Sequence, residues 1–336
     1  MMLKINEGDY SYASGLIRAK EPKLFTSSQY ARMLDAATAE EAYKVLTDSG
    51  YGLSGNTPGV FAFEQLLADE MKKCFMLLAE ITPEAEVIKV FQRRYDYFNI
   101  KVLLKAELSG QQIPPILIGT GTIDSDSLTR MIRERDYSEL TDLMAEAVER
   151  VYDVFARMQD PQAVDLILDI ASYRQFAADI RNIESPFLWD LADYIIDITN
   201  IRMFIRARSL DKTWDFIGKM LLDGGMIARE VYQQNSDKPT DSFVEDIRKS
   251  RYGDSVRKGL EMVEMGRNSS GLEKALDDLL MSYIRSARLV TIGVEPLIAW
   301  LFAKETEIRN VRMIMTGKIN NLPMDMIRER LRETYV

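Results

Sequence analysis

The residue types that most enzymes need for catalysis are scarce in this sequence. Its 336 residues include no histidine, which excludes Ser-His-Asp and Cys-His catalysis and every metal or haem site that depends on an imidazole ligand. The single cysteine, Cys74, can form neither an internal disulfide nor a CxxC metal site, and it fits a reducing cytosol. Cys74 lies on the apolar face of a predicted helix, where we expect a buried core residue. We therefore predict no catalytic residue, no cofactor and no metal ligand.

Two glycine motifs resemble phosphate-binding signatures but lack essential residues. Gly317-Lys318 has Arg312 where the first glycine of a P-loop belongs, and Ile319 where a serine or threonine belongs. The pair Gly119 and Gly121 is not framed by a strand, a turn and a helix. Neither motif predicts a nucleotide site.

Three asparagines, in contrast, recur in one pattern at intervals of about a hundred residues, in segments that align without gaps. In each segment an acid precedes the asparagine by three residues and a base follows it by two. The asparagines are Asn99, Asn200 and Asn310, and the bases are Lys101, Arg202 and Arg312.

Each asparagine lies at the edge of an apolar helical face, exemplified by Tyr97, Ile100, Leu103 and Leu104 in the first segment. A buried amide without partners costs about 1–3 kcal/mol, so we expect each asparagine to tie its helix to a neighbouring loop backbone. A polar contact to a partner protein is the alternative. The three bases either line a shared surface that faces a partner or are solvated charges.

The elements that carry these residues are predicted to be helices. Apolar residues recur every three or four positions, as they do from Phe63 to Leu78, and Thr26 and Thr38 are predicted helix caps. The best strand candidate, 116–118, lies between prolines and a glycine and is interpreted as a linker. We predict an all-α protein of three similar multihelical domains that arose by internal triplication. The predicted repeats are 1–112, 113–214 and 215–336.

Charge and hydropathy argue against nucleic acid and lipid as partners. Acids outnumber bases 52 to 43, giving a net charge of −9, so the broad positive field that attracts such polyanions is missing. The most apolar stretch, 289–303, is shorter than a membrane span and is interrupted by Glu295 and Pro296. Residues 1–12 lack the apolar core of a signal peptide. No direct membrane insertion is predicted.

Several segments resemble one known family. They are the run 10–13 (Tyr-Ser-Tyr-Ala) with Arg18, the run 95–101 (Tyr-Asp-Tyr-Phe-Asn-Ile-Lys), and above all the C-terminal run 295–312, which continues to Gly317-Lys318 and 328–331. They resemble the C subunit of the archaeal and bacterial A/V-type rotary ATPases, which is equivalent to the d subunit of the eukaryotic V-ATPase. The resemblance covers essentially the whole chain.

This resemblance implies a non-catalytic rotor protein that is monomeric in isolation. Its three helical domains are arranged around a pseudo-threefold axis as a funnel-shaped collar. The collar lies on the cytoplasmic face of the membrane, where it joins the proteolipid rotor ring to the D and F proteins of the central stalk. It thereby couples ATP synthesis or hydrolysis to proton or sodium transport.

Two other functions remain open from the sequence. A generic helical-repeat scaffold would bind peptides or helices in an exposed apolar groove. An enzyme that uses only carboxylates with tyrosine or lysine would need a deep pocket of acids with shifted pKa values.

Overall fold

The computed structural model describes residues 2–52, 59–264 and 270–336, and it confirms the all-α prediction. In the described residues the only strands are the two-residue segments β1 (Leu3–Lys4) and β2 (Ile183–Glu184), which pair in parallel. The helices are α1 (Ser11–Lys20), α2 (Ser27–Asp35), α3 (Ala39–Asp48), α4 (Phe63–Ile81), α5 (Ala85–Ser109), α6 (Ser125–Glu134), α7 (Asp142–Met158), α8 (Pro161–Arg181), α9 (Pro186–Ser209), α10 (Trp214–Met220), α11 (Arg229–Gln234), α12 (Thr240–Asp246), α13 (Gly253–Glu264), α14 (Gly271–Arg285), α15 (Glu295–Ile319) and α16 (Met324–Arg330).

The chain divides into two compact units. Unit 1 comprises Met1–Ile5 and Glu84–Ala228, and unit 2 comprises Asn6–Pro83 and Arg229–Val336. These limits differ from those of the predicted sequence repeats, because α5 packs against α6, α7 and α8, which follow it in the chain. The boundaries of the repeats remain a prediction.

Helix starts follow the capping residues that the sequence supplies. The Thr26 side chain and Gln29 form a reciprocal capping box at α2. The Thr38 hydroxyl accepts the backbone N–H of Glu41 at the start of α3, as predicted. The Glu41 carboxylate, however, accepts the N–H of Ala37 and not that of Thr38. At α6 the cap is Asp124, whose carboxylate accepts the backbone N–H groups of Asp126 and Ser127.

In unit 1, α5 supplies the apolar face of the core and α8 covers it most extensively. All four residues of the predicted face, from Tyr97 to Leu104, are buried. The segment 116–118 contains no strand and serves as a linker, as predicted. The segment between α9 and α11 contains the short helix α10, whose Ile217 is buried.

In unit 2, α15 has the corresponding role and packs against α2, α3 and α4, which come from the start of the chain. The predicted stripe of α4 from Phe63 to Leu78 is buried, including Cys74 at 2% exposure, as predicted. Elsewhere in the unit, α13 and α14 pack closely because Gly259 allows the backbone of Leu272 to approach. A Cβ at Gly259 would stand 2.6 Å from the Leu272 Cα.

Candidate functional site

The three recurring asparagines are buried on the long helices α5, α9 and α15, and each holds one loop residue by both of its backbone polar groups. Asn99 donates from Nδ2 to the carbonyl oxygen of Ile118 and accepts the N–H of the same residue at Oδ1, both at 2.8 Å. Asn200 binds Leu222 in the same way, at 2.9 and 2.8 Å. Asn310 binds Arg332 at 3.0 and 2.9 Å. These are the contacts that the helix-tying interpretation expects.

The acid three residues before each asparagine is also buried, and in unit 1 it binds backbone N–H groups further along the linker. Asp96 accepts the N–H and hydroxyl of Thr122 at 3.0 and 2.6 Å and the N–H of Ile123 at 3.1 Å. Burial raises the pKa of Asp96 above its ordinary value, and these hydrogen bonds oppose the shift. Asp197 accepts the N–H groups of Met226 and Ile227 at 2.8 and 3.2 Å.

A glycine next to each of these amides is required by the close approach of the carboxylate. A Cβ at Gly121 would overlap Oδ1 of Asp96, and its distance to the carboxylate carbon would be 3.0 Å. At Gly225 a Cβ would overlap Oδ1 of Asp197 and stand 2.7 Å from its Cγ. Each glycine therefore belongs to the carboxylate site, since no larger residue leaves room for the acid.

In α15 the acid is Glu307, and its partners come from other parts of unit 2. Its carboxylate accepts the N–H of Phe25 at 2.6 Å, the hydroxyl of Tyr51, and Nζ of Lys304 at 2.8 Å. Lys304 Nζ also donates to Glu70 at 2.9 Å. Burial alone would lower the pKa of Lys304, but the attraction of Glu307 and Glu70 outweighs it and raises the pKa. Burial, reinforced by Glu307, raises the pKa of Tyr51 well above its ordinary value.

The three predicted partner-facing bases differ in their surroundings. Lys101 pairs with Asp169 of α8. Arg312 Nε donates to both carboxylate oxygens of Glu64 at 3.0 Å, and this pair is exposed. Arg202 is half-buried. A partner-facing role for these bases remains a prediction.

Arg18, which carried part of the family resemblance, and its neighbour on α1, Ser14, tie this helix to the segment before α15, both within unit 2. The Arg18 guanidinium donates to the carbonyl oxygens of Ala287 and Val290 at 2.7 and 2.6 Å, and it pairs with Glu21. The Ser14 hydroxyl exchanges hydrogen bonds with the N–H and carbonyl of Gly293, both at 3.2 Å. These residues therefore stabilise the start of α15.

Sequence reasoning did not assign a role to Asp96, Asp197 and Glu307. The signal was present, because an acid precedes the asparagine at the same spacing in all three segments. Within the described ranges, no group of three or more His, Cys, Asp or Glu side chains could hold a metal ion. A search of the same ranges finds no helix that is both long and apolar enough to span a bilayer.

A comparison with known families decides the relationship. Residues 13–330 match the profile of the ATP synthase (C/AC39) subunit family. The chain belongs to this family. It is 26% identical to the C subunit of the V-type sodium ATPase of Enterococcus hirae over 97% of this chain and 99% of that relative. It is also 24% identical to the C subunit of the A-type ATP synthase of Methanocaldococcus jannaschii, over 97% of this chain and 87% of the relative. The corresponding protein of the Haloferax volcanii A-type ATP synthase is 25% identical over 95% of this chain and 96% of its own length.

The family match confirms the resemblance predicted from the sequence. The relatives named above are components of V-type and A-type rotary ATPases. The buried acids and asparagines bind backbone and side-chain groups of the chain itself, so the contacts that they make are structural attachments.

Proposed function

We propose that this chain is the C subunit of a V/A-type ATPase or ATP synthase, a non-catalytic rotor component that couples the D/F axle to the proteolipid ring during ATP-linked proton or sodium transport. The observation that carries the proposal is the family match over residues 13–330, together with relatives of the same kind that align over nearly the whole chain. In this role the protein is peripheral on the inner, cytoplasmic face of the membrane.

The attachment of the long helices supports a role in transmitting torque. A coupling must resist slippage, because a linker that slid along its helix would lose the work of each step. Each long helix is attached to the segment that follows it by a buried asparagine with two hydrogen bonds, and in α5 and α9 a buried aspartate adds further bonds to the linker. Bonds of the neutral amides contribute roughly 0.5–1.5 kcal/mol each and bonds to the carboxylates roughly 1.5–3 kcal/mol each, so slippage of a linker along its helix is opposed.

The same attachments support the proposed repeats 1–112, 113–214 and 215–336. Each repeat would end at or soon after one long helix, and the asparagines of the first two repeats would bind Ile118 and Leu222 at the start of the next repeat. The three repeats would form the funnel implied by the family resemblance. The loop residue bound by Asn200 and the one bound by Asn310 follow their asparagines at the same distance in sequence. The isolated chain is proposed to be a monomer.

Candidate contact surfaces lie in the linkers that follow the long helices. Each linker exposes large apolar side chains, which are costly on a free surface and typical of protein interfaces. These exposed side chains are Ile113 and Ile116 after α5, Leu210 and Phe216 after α9, and Leu322, Met324 and Met326 after α15. We assign them, with Lys101, Arg202 and Arg312, as candidates for contact with the ring or the stalk.

Co-expression with the D and F proteins and the proteolipid ring tests the proposal. We expect the chain to co-purify with both assemblies, and the isolated chain to show no ATP hydrolysis. Phe216→Ser should reduce recovery of the complex at an unchanged melting temperature, whereas Met76→Ser, an exposed apolar control in α4, should not. A complete motor that assembles and couples without the chain would refute the proposal.

A generic helical scaffold remains the alternative, and one observation favours it: an open apolar groove beside α5, lined by Phe98, Val102 and Ile116 among others. The co-expression experiment separates the two functions. A scaffold would retain peptide binding but would recover neither D/F nor the ring.

A further inference from the structure

A groove of about 460 Å³ lies on the outer side of α5 in unit 1. We call it the α5 groove, and its apolar walls include Phe98, Val102, Ala106, Ile116, Phe155 and Val164. The only charged residues among those that line it are Lys101 and Lys105, which pair at its edge with Asp169 and Asp165 of α8. The groove is therefore lined mainly by apolar side chains, and the charges of its two lysines are balanced by the aspartates of α8.

The end of α5, which adjoins this groove, follows a pattern that recurs at the ends of α9 and α15. Counting from the asparagine, the eleventh residue has a left-handed backbone: Gly110, Asp211 or Asn321, with φ between 52° and 66°. The next N–H donates to the carbonyl oxygen of the seventh residue, at 2.9, 3.0 and 2.8 Å respectively. That seventh residue is small in every case: Ala106, Ala207 or Gly317.

Beyond this turn, α10 and α16 occupy identical positions relative to their asparagines. Each is seven residues long, and each buries one isoleucine at the same position, Ile217 at 1% and Ile327 at 2% exposure. In α16 this isoleucine lies directly on Gly317, where a Cβ would stand 2.5 Å from its Cδ1. The two helices also share sequence, since Trp-Asp-Phe-Ile begins α10 and Met-Asp-Met-Ile begins α16.

The linker after α5 lacks this short helix. Ile118 follows Asn99 by nineteen residues, whereas the corresponding separation is twenty-two in the other two segments. Pro114 and Pro115 lie where the helix would form, and the linker has no regular structure. As a result Ile113 and Ile116 are 40% and 52% exposed, and Ala106, the counterpart of Gly317, lines an open groove.

We propose that the α5 groove binds a short amphipathic helix of a partner protein, in the place on α5 that α16 takes on α15. The chemistry of the occupant follows from the two internal helices: about two turns, an isoleucine or leucine anchor over Ala106, and a second bulky apolar residue beside Ile116. This assignment does not depend on the proposed coupling function.

The probe for this site is a fluorescein-labelled synthetic peptide with the sequence of residues 322–332, which contains α16. We expect fluorescence anisotropy to detect saturable binding to the full-length chain. Changing the peptide residue that corresponds to Ile327 to Asp should weaken binding at least tenfold. Val102→Glu in the groove should do the same, and so should Ile116→Glu, whose exposed position avoids a folding defect.

The matched control is Met158→Glu, which places the same charge on an exposed apolar residue of unit 1 that does not line the groove. This variant should bind the peptide as the unaltered chain does. Absence of saturable binding up to millimolar peptide, or equal binding by Ile116→Glu, would overturn the proposal. A concentration-dependent dimer in sedimentation that Ile116→Glu dissociates would also overturn it, because the occupant would then be a second copy of this chain.

Discussion

The Asp96 site makes a sharp prediction for the substitution Gly121→Ala. A Cβ at this position would overlap the carboxylate oxygen that accepts the N–H of Ile123. Asp96 is fully buried, so its carboxylate cannot move into water to relieve the overlap. Either the acid leaves its three hydrogen bonds or the linker moves away from α5. In both cases a buried charge loses partners.

The magnitude follows from the bonds at risk. Hydrogen bonds to a charged group contribute roughly 1.5–3 kcal/mol each, and partial relaxation of the linker would preserve some of the three. The entropic gain from replacing a glycine offsets about 0.4–1 kcal/mol. We therefore expect Gly121→Ala to lower the free energy of unfolding by about 2–4 kcal/mol.

Urea unfolding followed by circular dichroism measures this loss, and Gly119→Ala is the matched control. Gly119 lies in the same linker, a Cβ there meets no atom within 4 Å, and its backbone is not left-handed. It should change stability by less than about 1 kcal/mol. In an Asp96→Ala background the overlap disappears, so Gly121→Ala should cost much less there. Equal costs in the two backgrounds would refute the reasoning.

Three further predictions concern buried groups. Asn200→Leu and Asn310→Leu should each lower the free energy of unfolding by about 2–4 kcal/mol, because a backbone N–H and carbonyl lose their partners. The melting temperature should fall before assembly is affected. Unchanged melting with lost stalk binding would favour a partner contact instead. Burial raises the pKa of Asp96 above 3.8, so its proton is held more tightly in the native state. The free energy of unfolding of the native sequence minus that of Asp96→Asn should therefore rise as the pH falls towards 3.8. A difference that falls over the same pH range would contradict this. Cys74 is 2% exposed, and its thiol should react with Ellman's reagent only in denaturant, whereas fast native labelling would show that α4 opens.

The helical class and most buried positions were predictable, because apolar periodicity depends only on local sequence. The three predicted faces contain twelve residues, and all but Ile205, which is half-buried, are buried. The twelve residues are Tyr97, Ile100, Leu103 and Leu104 on α5, Ile198, Ile201, Phe204 and Ile205 on α9, and Ile308, Val311, Ile314 and Met315 on α15. The asparagine contacts with loop backbone were also expected, since a buried amide must find partners. The sequence could not indicate which loop residue each amide would bind, because that depends on how the linker turns back along the helix.

The role of the acids was harder to predict. An acid in a helix is usually solvated, and nothing local distinguishes Asp96 from an exposed carboxylate. Its recurrence was the signal that the sequence contained. Gly121 and Gly225 also mark the acid sites, but each lies twenty-five or more positions after its acid, so its role can be recognised only from the fold. The short helix α10 was missed because its seven residues are too few to establish a period.

The third acid, Glu307 of α15, binds a segment close to the other end of the chain. Asp96 and Asp197 bind amides that lie just before α6 and α11, whereas Glu307 binds the amide of Phe25, just before α2 at the other end of the chain. The buried positions of these three short helices correspond, with Leu128, Tyr232 and Tyr30 each at the fourth residue. In the first two cases a peptide linker also joins the helices, whereas in the third the carboxylate of Glu307 reaches a backbone N–H far away in the sequence. A glutamate carries one more methylene than an aspartate, and Glu307 also has Lys304 and Tyr51 as partners. A carboxylate with a lysine partner therefore occurs where no short peptide linker joins the two helices.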